Sequence, residues 1–173
     1  SEKDVSIKNI VARDCLFRIN RDVRFAKDKS PYKSNFGASI NKGGRKAENS
    51  AGYYFQVQPE RNFAGGGIWM PAPPELKKVR QEIDYNGAEL EKIFKEKSFK
   101  KNFLKFWDED KLKNPPKGYT KDHPYVEWLK LKSFIVTHEF ADQTVTNKRF
   151  IKNLVGVMKA GRPLNDFLKE AIH

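Results

Sequence analysis

The stretch Gly52-Tyr-Tyr-Phe-Gln-Val-Gln58 decides the fold class, because its side chains alternate in character with a period of two. Tyr53 and Phe55 fall on one face of an extended chain, and Tyr54 and Gln56 fall on the other. This alternation is typical of a β-strand with one face on a hydrophobic core. The sequence around it therefore has to supply partner strands and a layer that covers the apolar face.

Partner strands are predicted on both sides of this stretch. They are expected at 16–25, Phe36–Ile40, Gly67–Met70 and Ser133–Phe140. Short connections between successive strands favour antiparallel pairing. From Pro73 onward, apolar residues recur mainly at helical spacing, with helix stops predicted at Asn86-Gly87 and at 161–163. Residues 1–173 are thus expected to form one α+β domain: a mostly antiparallel sheet of four to six strands, with helices packed mainly on one face.

The strand predicted at 16–25 carries cations between its apolar residues. Arg18 and Arg24 fall on its polar face, whereas Arg21 falls on the apolar face. A cation on an apolar face needs a carboxylate or phosphate partner. The polar loop that follows adds three lysines within seven residues, Lys27, Lys29 and Lys33. Assembling so many like charges costs energy unless an anion or carboxylates offset it.

Composition narrows the classes of partner. The net charge of +12 predicts attraction to phosphates, nucleic acid or anionic lipid. No apolar run reaches the length of a membrane span, and the first residues lack the apolar core of a signal peptide. Cys15 is the single cysteine, which excludes an internal disulfide. A cytoplasmic protein with no membrane partner is expected.

No cofactor or metal site is predicted. The three histidines, His123, His138 and His173, have no metal-ligand spacing, and Cys15 gives them no thiolate cluster. The run Ala64-Gly-Gly-Gly67 lacks the lysine of a phosphate-binding loop and is followed by a predicted strand. His123 remains a candidate general base, with helix capping as its structural alternative.

Six motifs together resemble a known family. They are Arg21-Asp-Val-Arg-Phe-Ala-Lys-Asp-Lys-Ser-Pro-Tyr-Lys33, Ala51-Gly-Tyr-Tyr-Phe55, Gly65-Gly-Gly-Ile-Trp-Met-Pro71, Pro116-Lys-Gly-Tyr119, Asp122-His-Pro124 and Leu129-Lys-Leu-Lys-Ser-Phe134. In this order they resemble the bacterial family known as domain of unknown function 2461, over nearly the whole chain. The resemblance implies no reaction, ligand or catalytic residue. It does imply a preceding helical segment with a Trp-Phe pair, after which this sequence would begin.

The preferred hypothesis is a protein that binds an anionic, phosphorylated small molecule. Its candidate ligand-binding residues are Arg18, Arg21, Arg24, Lys27, Lys29, Lys33, Tyr54 and Gln56. Tyr54 and Gln56 belong to this set provided that they share a sheet face with Arg18. One structural alternative is that Arg–Asp pairs only pin the strand end and its loop. Two functional alternatives are a nucleic-acid-binding module on the same basic surface and a non-catalytic scaffold. The sequence names no reaction, so catalysis stays open.

Overall fold

A computed structural model describes Asp4, residues 7–25 and residues 27–172. Within these residues the fold is α+β, as predicted, and is built on one open four-stranded antiparallel sheet. The strands are β1 (Phe36–Ile40), β2 (Gly52–Val57), β3 (Asn62–Ile68) and β4 (Phe134–Phe140). They lie side by side in the order β1-β2-β3-β4, so each strand pairs with its neighbour in sequence.

Two long helices cover one face of the sheet. The helices of the described residues are α1 (Ala12–Cys15), α2 (Pro73–Lys95), α3 (Lys97–Asn102), α4 (Val126–Leu129), α5 (Asp142–Val145) and α6 (Phe150–Ile172). Helix α6 packs on β3, and α2 packs on α6. We call this side of the sheet the helix face and the opposite side the open face. In the part of the chain described, no helix combines the length and apolar character needed to cross a bilayer.

The strand register assigns side chains to the two faces. Gly66 pairs with Tyr53 and with Val136, and all three lie on the buried helix face. Tyr54 pairs with Gly65, which also pairs with Thr137, and these lie on the open face. The alternation of 52–58 thus sends Tyr53 to the core and Tyr54 to the opposite side, as predicted.

A buried hydrogen bond ties the N-terminal part of the chain to the helix face. The Tyr53 hydroxyl donates to Asp4 Oδ2 at 2.8 Å, and both side chains are buried. Burial, together with this carboxylate, raises the pKa of Tyr53 well above its usual value. Asp4 therefore lies under β2, on the side of the sheet that α6 also covers.

Of the two predicted helix stops, the first coincides with a break and the second is wrong. Within α2 the backbone leaves the helical conformation at Asn86, with φ −120° and ψ 24°, so two helical segments meet there at a kink. Helix α6 continues through Gly161 and contains Pro163 in its interior. In both helices, apolar residues beyond the predicted stop, such as Leu90 and Leu168, are fully buried. Their burial offsets the local cost of these helix-breaking residues.

The strand predicted at 16–25 is also wrong. After α1, the chain touches its neighbours at two isolated bridges, Leu16 with Ala38 and Asn20 with Tyr32. The apolar residues alternate as expected, but they are largely exposed to solvent, and Phe25 is 96% exposed. No core lies beneath this segment to select a regular register.

The strand predicted at Gly67–Met70 has different boundaries in the structure. Strand β3 begins at Asn62 rather than Gly67, so the three consecutive glycines lie inside it. Gly67 has φ +126°, and the carbonyl of Phe134 on β4 occupies the position where its Cβ would be. Glycine is required there because no side chain fits between the two backbones.

Candidate functional site

A shallow groove beside β1 gathers basic side chains from three parts of the chain. We call it the basic groove; its volume is about 830 Å³. It is lined by Phe17, Arg18, Asn20, Arg21, Asp22, Val23, Arg24, Lys33, Arg45 and Lys46. Six of these residues are basic, and Asp22 is the one acidic residue in the lining. Such a surface attracts anions over a range of about 10 Å at moderate ionic strength.

Backbone hydrogen bonds hold the two sides of the loop that carries most of these residues. The N–H of Arg21 donates to the carbonyl of Pro31 at 2.9 Å, and the N–H of Lys33 donates to the carbonyl of Ile19 at 2.8 Å. Further back, the N–H of Phe17 donates to the carbonyl of Gly37 in β1 at 3.0 Å. The segment 17–33 is thus a narrow hairpin-like loop, attached at its base to the edge strand.

Two arginines of the groove are already paired with acids. Arg21 pairs with Asp28 and also donates to the Ser30 hydroxyl at 2.8 Å. The N–H and hydroxyl of Ser30, together with the Arg21 guanidinium, hold the pKa of the Asp28 carboxyl well below its usual range. Arg24 contacts both carboxylate oxygens of Asp22, at 2.6–3.2 Å. The partner predicted for Arg21 is therefore a carboxylate of the same loop.

The other four cations of the groove have no acidic partner among the described residues. Arg18, Lys33 and Lys46 are exposed and make no ion pair within residues 7–25 and 27–172. Arg45 is half-buried, and its Nη1 donates to the carbonyls of Arg13 and Asp14 at 3.1 and 3.2 Å. These carbonyls fix the guanidinium without neutralising it, because they carry only partial charges. Arg45 is thus a positioned cation whose charge remains available to a ligand.

A second cleft lies on the open face of the sheet, next to the basic groove. It has a volume of about 700 Å³, within the range of typical small-molecule sites. Phe17 and Arg45 line both the cleft and the groove, so the two cavities adjoin each other at these residues. Open-face residues of β2, β3 and β4 form the floor of the cleft, and residues of the segments 41–50 and 69–72, Glu48 among them, form much of its rim.

The floor of the cleft is largely bare backbone. Gly52, Gly65 and Gly67 contribute no side chains, and β4 adds the side chains of Ile135 and Thr137. Close neighbouring backbone leaves no space for a Cβ at any of the three glycines. Because adjacent strands pair across this region, the floor offers flat peptide surface rather than free hydrogen-bonding groups.

Aromatic side chains stand at both ends of this floor. At one end, the ring of Tyr54 lies 6.1 Å from Phe17 and 5.6 Å from Phe63, between ring centroids. At the other end, Trp69 lies 5.0 Å from Trp107, yet 59% of its surface is exposed. The cleft therefore combines a flat floor with carbon-rich walls, and the basic groove adjoins its Phe17 end.

The structure brings together four of the eight candidate residues predicted from the sequence. Arg18, Arg21, Arg24 and Lys33 line the basic groove. The other four, Lys27, Lys29, Tyr54 and Gln56, do not line the basic groove. Lys27 is exposed and lines neither the groove nor the cleft, and Lys29 donates to the backbone carbonyl of Val23 at 3.0 Å.

Tyr54 and Gln56 share the open face, but their polar atoms bond to each other. The Tyr54 hydroxyl donates to Gln56 Oε1 at 3.1 Å, and that oxygen also accepts from Asn35. Tyr54 therefore lines the cleft with its ring, while Gln56 belongs to an amide network near the sheet edge. Neither side chain lines the basic groove. Arg18 is not part of the sheet, so the condition that Tyr54 and Gln56 share a sheet face with Arg18 is not met.

Arg45 and Lys46 were missed as candidates because they follow two glycines in a turn that the sequence presents as flexible. In the structure, Gly44–Lys46 form one turn of 3-10 helix. Gly44 has φ +63°, and the carbonyl of Asp14 lies so close that a Cβ would not fit. Arg45, which follows this glycine, is thereby held against the end of α1, and Lys46 is exposed beside it.

His123 and His138, the two histidines that the structure describes, are both held by hydrogen bonds, and His173 lies outside the described residues. His123 Nε2 bonds Asp84 Oδ1 at 2.9 Å, and its Nδ1 accepts the Tyr125 N–H at 3.1 Å. With both ring nitrogens occupied, the capping-type alternative fits His123 better than a general base. His138 lies on the helix face, and its Nδ1 is 3.1 Å from the Asn102 carbonyl. Over the described ranges, no group of three His, Cys, Asp or Glu side chains could hold a metal ion.

Comparison with known proteins gives one match. The family model described as "Conserved hypothetical protein (DUF2461)" matches residues 1–167 of the 173. The chain belongs to this family. Membership in DUF2461 confirms the resemblance carried by the six sequence motifs. No curated protein and no solved structure matches the chain.

Proposed function

We propose that this DUF2461 protein binds an anionic small molecule, a phosphate ester or a carboxylate, in the basic groove. The observation that carries the proposal is the position of Arg45. Its guanidinium is held by two backbone carbonyls, has no acidic partner among the described residues, and lies where the groove meets the cleft. Arg18, Lys33 and Lys46 add further uncompensated charge around the same groove.

Electrostatics support this assignment of roles. Pairing with Asp28 and Asp22 makes Arg21 and Arg24 structural parts of the loop rather than free anion ligands. The four remaining cations repel one another unless an anion lies between them. Arg45 can give two parallel hydrogen bonds to a phosphate or carboxylate, and lysine adds a compact charge. The proposed anion-binding set is therefore Arg18, Lys33, Arg45 and Lys46.

The test is isothermal titration with phosphorylated and carboxylated metabolites, after a thermal-shift screen. A saturating ligand should raise the melting temperature, because it binds only the folded chain. Arg45→Gln should weaken binding by roughly tenfold or more, the equivalent of about 1.5 kcal/mol for one charge-assisted hydrogen bond. Binding that survives this substitution unchanged would rule out the groove as the site.

Arg61→Gln is the matched control for this variant. Arg61 is exposed in the turn between β2 and β3 and lines neither the groove nor the cleft. Arg61→Gln removes the same unit of charge as Arg45→Gln, so any general effect of net charge appears in both variants. Loss of affinity in Arg45→Gln alone would assign the effect to the groove. Equal loss in both variants would mean that net charge, and not a built site, attracts the ligand.

A further inference from the structure

We infer that the ligand of the basic groove carries a flat aromatic ring, and that this ring lies in the adjoining cleft on the open face. The inference rests on the proposed function, because it takes the groove as the site of the anion. The chemical class is a phosphate monoester of an aromatic or heteroaromatic group, with a nucleoside monophosphate as its metabolic form.

The first argument is that the basic groove and the cleft adjoin each other. Phe17 and Arg45 contribute to both, so an anion held by Arg45 lies at the entrance of the cleft. A ligand with only a phosphate would leave the cleft unfilled. A ligand with an attached ring can place its charge and its carbon-rich part in the two adjacent environments.

The floor of the cleft selects the shape of that second part. Along β3, Gly65 and Gly67 place no side chain on the open face, and Phe63 bounds this bare stretch on the side of the basic groove. At about 3.3 Å per residue, Phe63 to Gly67 spans about 13 Å, and the part beyond the Phe63 ring accommodates a flat ring. Its amides belong to the sheet, so it offers dispersion contact to a flat group instead of hydrogen bonds.

The walls provide the matching contacts. Phe17, Tyr54 and Phe63 form a connected aromatic cluster at the end near the basic groove. Trp69 at the far end keeps most of its surface in solvent. A ring between these walls can make edge-to-face or offset contacts and removes exposed apolar surface from water.

The experiment compares ligands that share the phosphate and differ in the ring. Affinities of ribose 5-phosphate, AMP, GMP, UMP and 1-naphthyl phosphate are measured by titration calorimetry on the intact chain. At least one ring-bearing ligand should bind tenfold or more tightly than ribose 5-phosphate. If ribose 5-phosphate binds as tightly as all four, the ring inference is overturned while the proposed function stands. If none of the five binds, the phosphate form of the proposed function fails as well.

A cleft-filling variant locates the ring. Thr137 is exposed on the floor opposite Gly65, so Thr137→Phe inserts a side chain where the ring would lie, on a strand that tolerates aromatic residues. Thr137→Phe should remove the tenfold higher affinity of the ring-bearing ligand and leave ribose 5-phosphate binding unchanged.

Glu139→Phe is the control, because Glu139 lies on the same face of β4 outside the cleft. A ring-bearing ligand that binds Thr137→Phe with wild-type affinity would overturn the placement, and an unchanged melting temperature verifies the fold of each variant.

Discussion

Single residues of the same type have different roles in this site, and their partners decide which. Arg21 and Arg45 both line the basic groove, but Arg21 pairs with Asp28 whereas Arg45 bonds only to carbonyls. The sequence indicated that Arg21 needs a partner, because a cation on an apolar position is costly. It could not name Asp28, since that pairing depends on the loop in which Ser30 bonds back to the Asp28 carboxylate.

A cation with an acidic partner and a cation without one should respond differently to substitution, and Arg21 and Arg18 provide the comparison. Arg18→Gln should weaken anion binding several-fold without loosening the loop, because Arg18 has no ion pair among the described residues. Arg21→Gln should loosen the loop, because it removes the contacts to Asp28 and Ser30. Limited chymotrypsin digestion reports loosening as faster cleavage after the exposed Phe25.

Arg18→Gln serves as the control for the digestion, since it removes the same charge from the same segment. The expected pattern is severalfold faster cleavage in Arg21→Gln and wild-type cleavage in Arg18→Gln. Equal cleavage of both variants would contradict a structural role for the Arg21–Asp28 pair.

Among the secondary-structure elements, prediction succeeded where one face of the element is buried. The alternation of 52–58 and 134–140 matched strands that place residues such as Val136 in the core. The same alternation failed at 16–25, where Phe17 and Ile19 remain partly exposed and no helix covers them. A pattern within the sequence cannot show whether another element will cover its apolar face, and that decides whether a regular strand forms.

Two helical glycines test how tertiary contacts override helix propensity. Gly87 in α2 faces the ring of Tyr125, which stacks on Trp128 with an interplanar angle of 3°. Gly87→Ala would place a Cβ 2.2 Å from two carbons of that ring, so it should destabilise the fold by about 1–3 kcal/mol. Gly156 in α6 has open space where its Cβ would be, so Gly156→Ala should stabilise by about 0.5–1 kcal/mol.

Urea unfolding measures the free energy of unfolding for both variants, and the two changes should have opposite signs. If Gly87→Ala also stabilised the protein, Tyr125 would have to move away at little cost. That outcome would contradict the packing of α4 and its preceding loop against α2.

At the level of the whole molecule, the charge was predictable and its arrangement was only partly so. The net charge of +12 and the basic segment 18–33 follow directly from the sequence. The cleft does not, because it forms only when the open face, the Phe17 loop and the Gly44–Lys46 turn meet. Residues that are distant in sequence, such as Arg18 and Arg45, become neighbours through the pairing of Leu16 with β1 and the contact of α1 with that turn.

Salt dependence separates a small anionic ligand from a nucleic acid on this basic surface. A single strand that contacts all four unpaired groove cations would release counterions with a slope of about −0.7 per phosphate, or about −3 in all. The affinity of the single strand should then fall about 50-fold between 50 and 200 mM salt.

A single phosphate monoester carries no condensed counterion layer, so the affinity of the monoester should fall only a few-fold over the same range. Titrations of AMP and of a 12-nucleotide oligothymidylate at both salt concentrations measure the two slopes. Tight oligonucleotide binding with the steep slope, together with no detectable binding of any monoester, would assign the basic groove to nucleic acid. Measurable monoester binding with the shallow slope is the result that the half-buried, carbonyl-bound Arg45 predicts. One fixed guanidinium at the entrance of the cleft favours a single small anion over an extended chain of phosphates.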